Sequence, residues 1–141
     1  MVKEHLNENG VMVVNMNMRG DSEGNINQYL ADTIASVFEN VTTVDVNGST
    51  NRELFASSNP KMLQDLRDNA QEVGQPDLQQ MMIGVADRSS VYEAGNYIMT
   101  DDKAPVELLG MQVIDQIIQD ELAYYKGIYE QQGIDGLLQS L

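Results

Sequence analysis

Residues 11–21, V-M-V-V-N-M-N-M-R-G-D, decide how the chain is read. They form the most apolar run in a sequence whose formal charge is −14. Successive side chains of a strand alternate between the two faces of a sheet. Val11 and Val13 then point one way, and Met12, Val14, Met16 and Met18 the other. Apolarity on both faces suits a strand in the middle of a helix-covered parallel sheet. Only ten residues precede this one, too few for a partner strand and its crossover helix. The stretch therefore predicts a strand over 11–17 that lacks one neighbour. An uncovered apolar strand edge is a pairing hazard. The expected remedy is a homodimer through the strand 11–17 edge, about a two-fold axis, or a partner that supplies the missing N-terminal half.

Outward from that strand the pattern is mixed helix and strand. Val2 to Leu6 read as the last turns of a helix, closed by N-E-N-G, where Asn7, Asn9 and Gly10 tolerate left-handed geometry. D-S-E-G-N is loop with capping chemistry. Ile26, Leu30, Ile34 and Val37/Phe38 then recur at three-to-four spacing, an amphipathic helix ending at Asn40. V-T-T-V-D-V (41–46) is β-branched and alternating, N-G-S-T is turn-forming, and N-R-E-L-F-A-S (51–57) reads as the return strand of a hairpin. Asn59 caps and Pro60 opens the next helix, which runs to about Glu72 and stops near Gly74.

Pro76 and Asp77 start another helix carrying Leu78, Met81, Met82 and Ile83, and V-Y-E-A-G-N-Y-I-M reads as loop or short strand. Pro105 sits at a first-turn position, with Glu107 near the positive end of the helix dipole. Leu109, Val113 and Ile117 with Ile114, Ile118, Leu122 and Tyr125 make a broad apolar stripe. That helix extends to about Gln131, with a short terminal helix after Gly133. The chain is expected as a single domain, 1–141, with a strand–helix–hairpin part over 1–75 and a mainly helical part over 76–141.

Composition narrows the function classes. With 141 residues, 42% of them hydrophobic, the chain can bury a working core and is no disordered segment. Lys plus Arg number 8 against 22 Asp plus Glu, without a basic patch, so neither a phosphate backbone nor an anionic membrane surface is an expected partner. There are no cysteines, which excludes disulfides, thiolate zinc sites and cysteine nucleophiles and fits a reducing compartment. No apolar run approaches the roughly 18 residues of a membrane span. The first residues, M-V-K-E-H-L-N-E, mix charges without the apolar core of a signal peptide. A cytoplasmic chain is the expectation.

Three segments carry a family resemblance. V-K-E-H-L-N-E-N-G-V-M-V-V-N resembles the part of spermidine synthases (polyamine aminopropyltransferases) where a helix and a Gly turn lead into strand five. F-E-N-V-T-T-V-D-V followed by N-R-E-L-F-A-S-S-N-P resembles their strand six, loop and strand seven. T-D-D-K-A-P-V-E-L-L resembles a late T-D-D-x-x-P-x-E element of bacterial spermidine-synthase-like proteins, and is the most specific of the three. The resemblance implies an α/β fold: a partial Rossmann-like, methyltransferase-type sheet of about three strands. That sheet would end in an antiparallel hairpin, with flanking helices and a long C-terminal helix.

It also implies a catalytically incomplete C-terminal part. The family's Gly-rich loop, its ribose-binding acid and the Asp that deprotonates the attacking amine all lie upstream of the matched region. No catalytic, cofactor-binding or metal-binding position is therefore carried onto this chain. The whole protein would use decarboxylated S-adenosylmethionine, and this chain alone would bind no cofactor.

What the resemblance does place here is the edge of a substrate pocket. Asn15, Asn17 and Arg19 would face the crevice beyond the carboxyl ends of the strands. Asp45 and the loop Asn47 to Asn51, with Thr50 and Asn51, occupy the position of the substrate-closing loop. The Pro- and Tyr-containing loop of true spermidine synthases is absent there. Asp101, Asp102 and Glu107 could hold a cationic polyamine or a hard cation such as Mg²⁺, and equally serve as helix N-terminal capping and dipole partners.

Other features read as structural. Arg19-Gly20-Asp21 is a loop after a strand rather than an adhesion signal. Met12, Met16 and Met18 are core packing rather than a soft-metal site. His5, the one histidine, is a solvated surface residue. Tyr124, Tyr125 and Tyr129 beside Lys126 are a packing edge. Two further readings stay open at this level, a stand-alone dimerisation or interaction module without enzymatic activity, and a binder of small cationic ligands such as polyamines.

Overall fold

The computed structural model describes residues 2–16, 23–48, 50–102, 104 and 106–140. Its elements run α1 (Val2–His5), β1 (Val11–Met16), α2 (Ile26–Ala35), β2 (Asn40–Asp45), β3 (Arg52–Ser57), α3 (Met62–Glu72), α4 (Pro76–Arg88), β4 (Ser90–Val91) and α5 (Val106–Ser140). Two compact units result, Met1–Ala104 and Pro105–Leu141. No helix among the described residues is long and apolar enough to cross a membrane.

The first unit is built on an open antiparallel sheet in the order β1-β3-β2-β4. Because β1 and β2 both run against β3, they are parallel to each other, and α2 is the crossover that joins them. The short strand β4 is a fourth member beyond the three expected from sequence. It pairs with Thr42 and Thr43 of β2, and so resolves the loop-or-strand ambiguity after residue 89.

Side-chain alternation in β1 follows the expected pattern. Met12, Val14 and Met16 face a core shared with Ala31, Ile34, Phe38, Val41, Leu54 and Ala56, under α2. Val11 and Val13 face the other side and remain exposed, Val13 to 55%. The helices on that side, α3 and α4, pack against each other and α4 against β2. The expectation of a strand covered on both faces is therefore met on the methionine face alone.

Several boundaries differ from the sequence reading, each for a local reason. The helix expected to reach Asn40 ends at Ala35. The Ser36 hydroxyl donates to Thr33 O (2.7 Å), and the N–H groups of Val37 and Phe38 both turn back to Ile34 O, which swings Phe38 into the core. The helix expected to open at Pro60 opens at Met62. Asn59 still ties its start, accepting from Lys61 N (2.8 Å) and donating to Asp65 Oδ2 (2.6 Å). β2 is shifted one residue earlier than 41–46 and β3 starts one residue later than 51–57, while β1 is strand over all the described residues of its expected range, Val11–Met16.

In the second unit, α5 is broken at Gly133, where φ 66 and ψ −161 are non-helical. That is the position at which the sequence separates a long helix from a short terminal one. Ile114, Ile117, Ile118 and Leu122 of its stripe are exposed, while Leu109 is buried.

Packing asymmetry in the sheet makes two opposite mutational outcomes testable by urea denaturation at unchanged m-value. Leu54 is fully buried, and Leu54→Ala should cost about 3 kcal/mol. Thr42 is buried on β2 with a hydroxyl that has no hydrogen-bond partner, so Thr42→Val should gain about 1 kcal/mol.

Candidate functional site

Parallel β1 and β2 finish at the same edge of the sheet, with the amino end of β3 between them. In open α/β sheets this is the edge beyond which ligands bind. It gathers four of the sequence-nominated residues. Asn15 stands opposite Glu53, and Asp45 opposite Arg52. Thr50 and Asn51 lie in the connection from β2 to β3, which Val46 N closes by donating to Asn51 O (3.0 Å). Gly48 takes φ 70 in that turn, a conformation that favours glycine.

Asp45 is held from across the strand pair. Arg52 Nε donates to Oδ1 at 2.6 Å and Nη2 to Oδ2 at 3.3 Å, a forked ion pair. Sequence reading missed Arg52. Its signal was the hairpin register, which puts one cation directly opposite one acid.

A second cluster lies along α2. Asn25 caps the helix, its side chain accepting from Gln28 N (2.9 Å). Residues 92–99 then run over α2 as a strap fastened by a buried carboxylate. Asp32 Oδ1 accepts from Tyr92 Oη (2.7 Å) and Gly95 N (3.0 Å), and Oδ2 from Tyr97 N (2.9 Å). Only 1% of Asp32 is exposed. A Cβ on Gly95 would lie 2.5 Å from Asp32 Oδ2, so a larger residue there would have to displace the carboxylate that fastens the strap. Thr33 Oγ1 adds an acceptor for Met99 N (2.8 Å).

Tyr97 closes the strap at its far end. Its ring meets Tyr29 edge-on at 5.1 Å, and its hydroxyl donates to Glu23 Oε1 (2.9 Å). That bond to Glu23 also pushes the Tyr97 phenol above its ordinary pKa. Tyr92 is pushed up to about 12, chiefly by burial and then by its bond to Asp32, with Arg52 opposing. None of Asp32, Tyr92, Gly95 or Tyr97 was nominated from sequence. The available signal was two tyrosines and a glycine at Y-x-x-G-x-Y spacing in an otherwise polar segment.

The remaining nominated residues separate. Asp101 and Asp102 follow the strap and are exposed, whereas Glu107 belongs to the second unit. Asn17 and Arg19 lie outside the described residues, as do Met18 and the rest of Arg19-Gly20-Asp21. His5 is exposed, and Met12 and Met16 pack in or against the core. Tyr124 and Tyr125 touch edge-on at 5.4 Å. Among the described residues, no three acidic or histidine side chains gather as a metal site.

One comparison with known proteins finds a match, and it is by sequence. No family model matches the chain, and no solved structure matches it. A curated protein of Bifidobacterium longum (strain NCC 2705), described as a "probable polyamine aminopropyl transferase", is 48% identical over 158 aligned residues that cover this chain completely. The chain spans about a third, 35%, of that relative's length. It matches a C-terminal part of a polyamine aminopropyl transferase-like protein, as the sequence resemblance implied.

The clasp generates two measurable outcomes. Asp32→Ala strands three donors and should cost about 3 kcal/mol in urea denaturation, while Asp101→Ala stays within about 0.5 kcal/mol. Tyr92 titrates near 10.0 when unfolded and at about 12 when folded. Its contribution is therefore complete below pH 10 and is lost as pH rises to 12. Tyr92→Phe should flatten the decline in stability across that window, measured by denaturant midpoints at each pH.

Proposed function

We propose that this chain is the distal portion of a spermidine-synthase-like aminopropyl transferase, forming one wall of its substrate pocket and none of its catalytic machinery. The observation that carries the reading is 48% identity over the entire chain to a protein so described, of which the chain spans about a third. The sheet supports it. A parallel pair, β1 and β2, with an antiparallel strand inserted between them is how methyltransferase-type sheets finish, and the edge strand β1 stands where the rest of such a sheet would continue.

In this reading the whole protein moves an aminopropyl group from decarboxylated S-adenosylmethionine to an amine. The amine nitrogen forms a bond to the carbon beside the sulfonium as the C–S bond breaks. The sulfide leaves neutral, and the amine's proton passes to a base supplied by the upstream part. This chain's residues bound the pocket. Asp45 is charge-compensated by Arg52, which suits a fixed wall better than a proton acceptor. Asp101 and Asp102, exposed and acidic, suit the approach of a polycationic amine. The pocket edge comprises Asn15, Asp45, Thr50 and Asn51, with Asn17 and Arg19 assigned by resemblance. A cytoplasmic location belongs to the same reading and agrees with the cysteine-free sequence.

Turnover assays with decarboxylated S-adenosylmethionine and putrescine or spermidine test the proposal. The isolated chain should form no product. The chain fused behind the upstream part of the B. longum relative should transfer the aminopropyl group. Turnover by the chain alone, or none by a folded fusion, overturns the reading.

A further inference from the structure

We infer that Glu23 is an amine-recognising carboxylate at the substrate edge, and that Tyr97 of the strap is the residue that positions it. The inference rests on the transferase reading proposed above and adds to it a residue pair that selects the cationic acceptor.

Topology brings Glu23 to that edge. β1 and β2 are parallel and α2 returns between them, so the amino end of α2 lies where both strands finish. Glu23 stands just ahead of the α2 cap Asn25 and is exposed. It therefore shares an edge with Asn15 and Asp45.

An exposed glutamate ordinarily keeps its rotamer freedom, and this one is held. Tyr97 Oη donates to Glu23 Oε1 at 2.9 Å. Tyr97 is itself fastened at three further points. Its backbone N–H donates to the buried Asp32 Oδ2 (2.9 Å), and its ring meets Tyr29 edge-on at 5.1 Å. The ring also lies against Gly24, where an added Cβ would come within 3.2 Å of Tyr97 Cε1 and where φ is 71. Main chain, ring and hydroxyl are thus each anchored, and the support ends in Asp32. A backing shell of this kind holds a functional side chain in one geometry before its ligand arrives.

Charge sets Glu23 apart from its neighbour on the edge. Asp45 is neutralised by Arg52. The contact to Glu23 comes from a phenol, which orients the carboxylate and leaves its charge in place. An oriented, exposed carboxylate fits an ammonium group. The ammonium it takes is the distal, non-reacting one of a diamine, because the attacking nitrogen must lose its proton.

Steady-state kinetics on the fusion behind the upstream part of the B. longum relative test this, with putrescine and decarboxylated S-adenosylmethionine varied in turn. Glu23→Gln should raise KM for putrescine about tenfold at an unchanged urea midpoint. KM for the donor and kcat should stay within about twofold. Glu93→Gln, the same charge change on an exposed residue at the start of the strap, should alter neither KM. Tyr97→Phe should raise the putrescine KM about threefold alone and leave it unchanged in the Glu23→Gln background, a non-additivity that a general folding defect does not produce. An unchanged putrescine KM in Glu23→Gln, or equal rises for amine and donor, overturns the inference, while turnover by the unsubstituted fusion keeps the transferase reading. A folded fusion without turnover overturns that reading, and calorimetric titration with putrescine then decides for Glu23. Binding weakened by Glu23→Gln upholds the amine site, whereas binding that is equal in both, or absent from the unsubstituted fusion, refutes it.

Discussion

β3 is the strand on which the first unit depends. It is hydrogen-bonded on both sides, to β1 over all six residues and to β2 over all six. Its inward side chains Leu54 and Ala56 have no exposed surface, and they meet Met12 and Val14 on one side and Val41 and Thr43 on the other. The two strands it joins lie far apart in sequence relative to their lengths, and α2 makes the return between them. Without β3 nothing would pair β1 with the rest of the sheet. Ser57, fully buried at its end, fixes the adjoining turns by donating to Gly10 O (2.7 Å) and accepting from Asn59 N (3.1 Å).

The same arrangement defines the candidate site. Inserting β3 antiparallel brings its amino end up between two carboxyl ends, which is why Arg52 meets Asp45 and Glu53 meets Asn15. A cation thus enters an edge otherwise rich in acids and amides. The strap over α2 is independent of that pairing and rests on one carboxylate with three donors. Such a charge-assisted cluster orders a segment that has almost no regular structure of its own.

How much of this was legible in the sequence depended on whether the determinant was local. Alternation in V-M-V-V-N-M and in V-T-T-V-D-V, and the punctuation by Gly10, Gly48, Pro76 and Gly133, are local signals, and the elements they imply are present. The end of α2 was misplaced because Val37 and Phe38 continue the helical spacing while the backbone has already turned to bury Phe38 against the sheet. The partnership of Asp32 with residues sixty or more positions away has no local signature, because two of its three donors are backbone N–H groups that any sequence supplies. Asp45 was nominated through resemblance, yet its forked bond to Arg52 required the strand register. The order β1-β3-β2 has no local signature either, because periodicity marks strands without saying which of them pair.

The strap has an optical corollary. The chain holds six tyrosines, two phenylalanines and no tryptophan, so its near-ultraviolet absorption and emission are dominated by phenol rings. Two of those rings sit in the strap, both bonded to carboxylates and one of them set edge-on against a third tyrosine at 5.1 Å. Carboxylate contact and ring proximity both alter phenol emission, which makes the seating of residues 92–99 on α2 a label-free spectroscopic signal. The protein carries its own reporter at the place where its least regular segment is fastened.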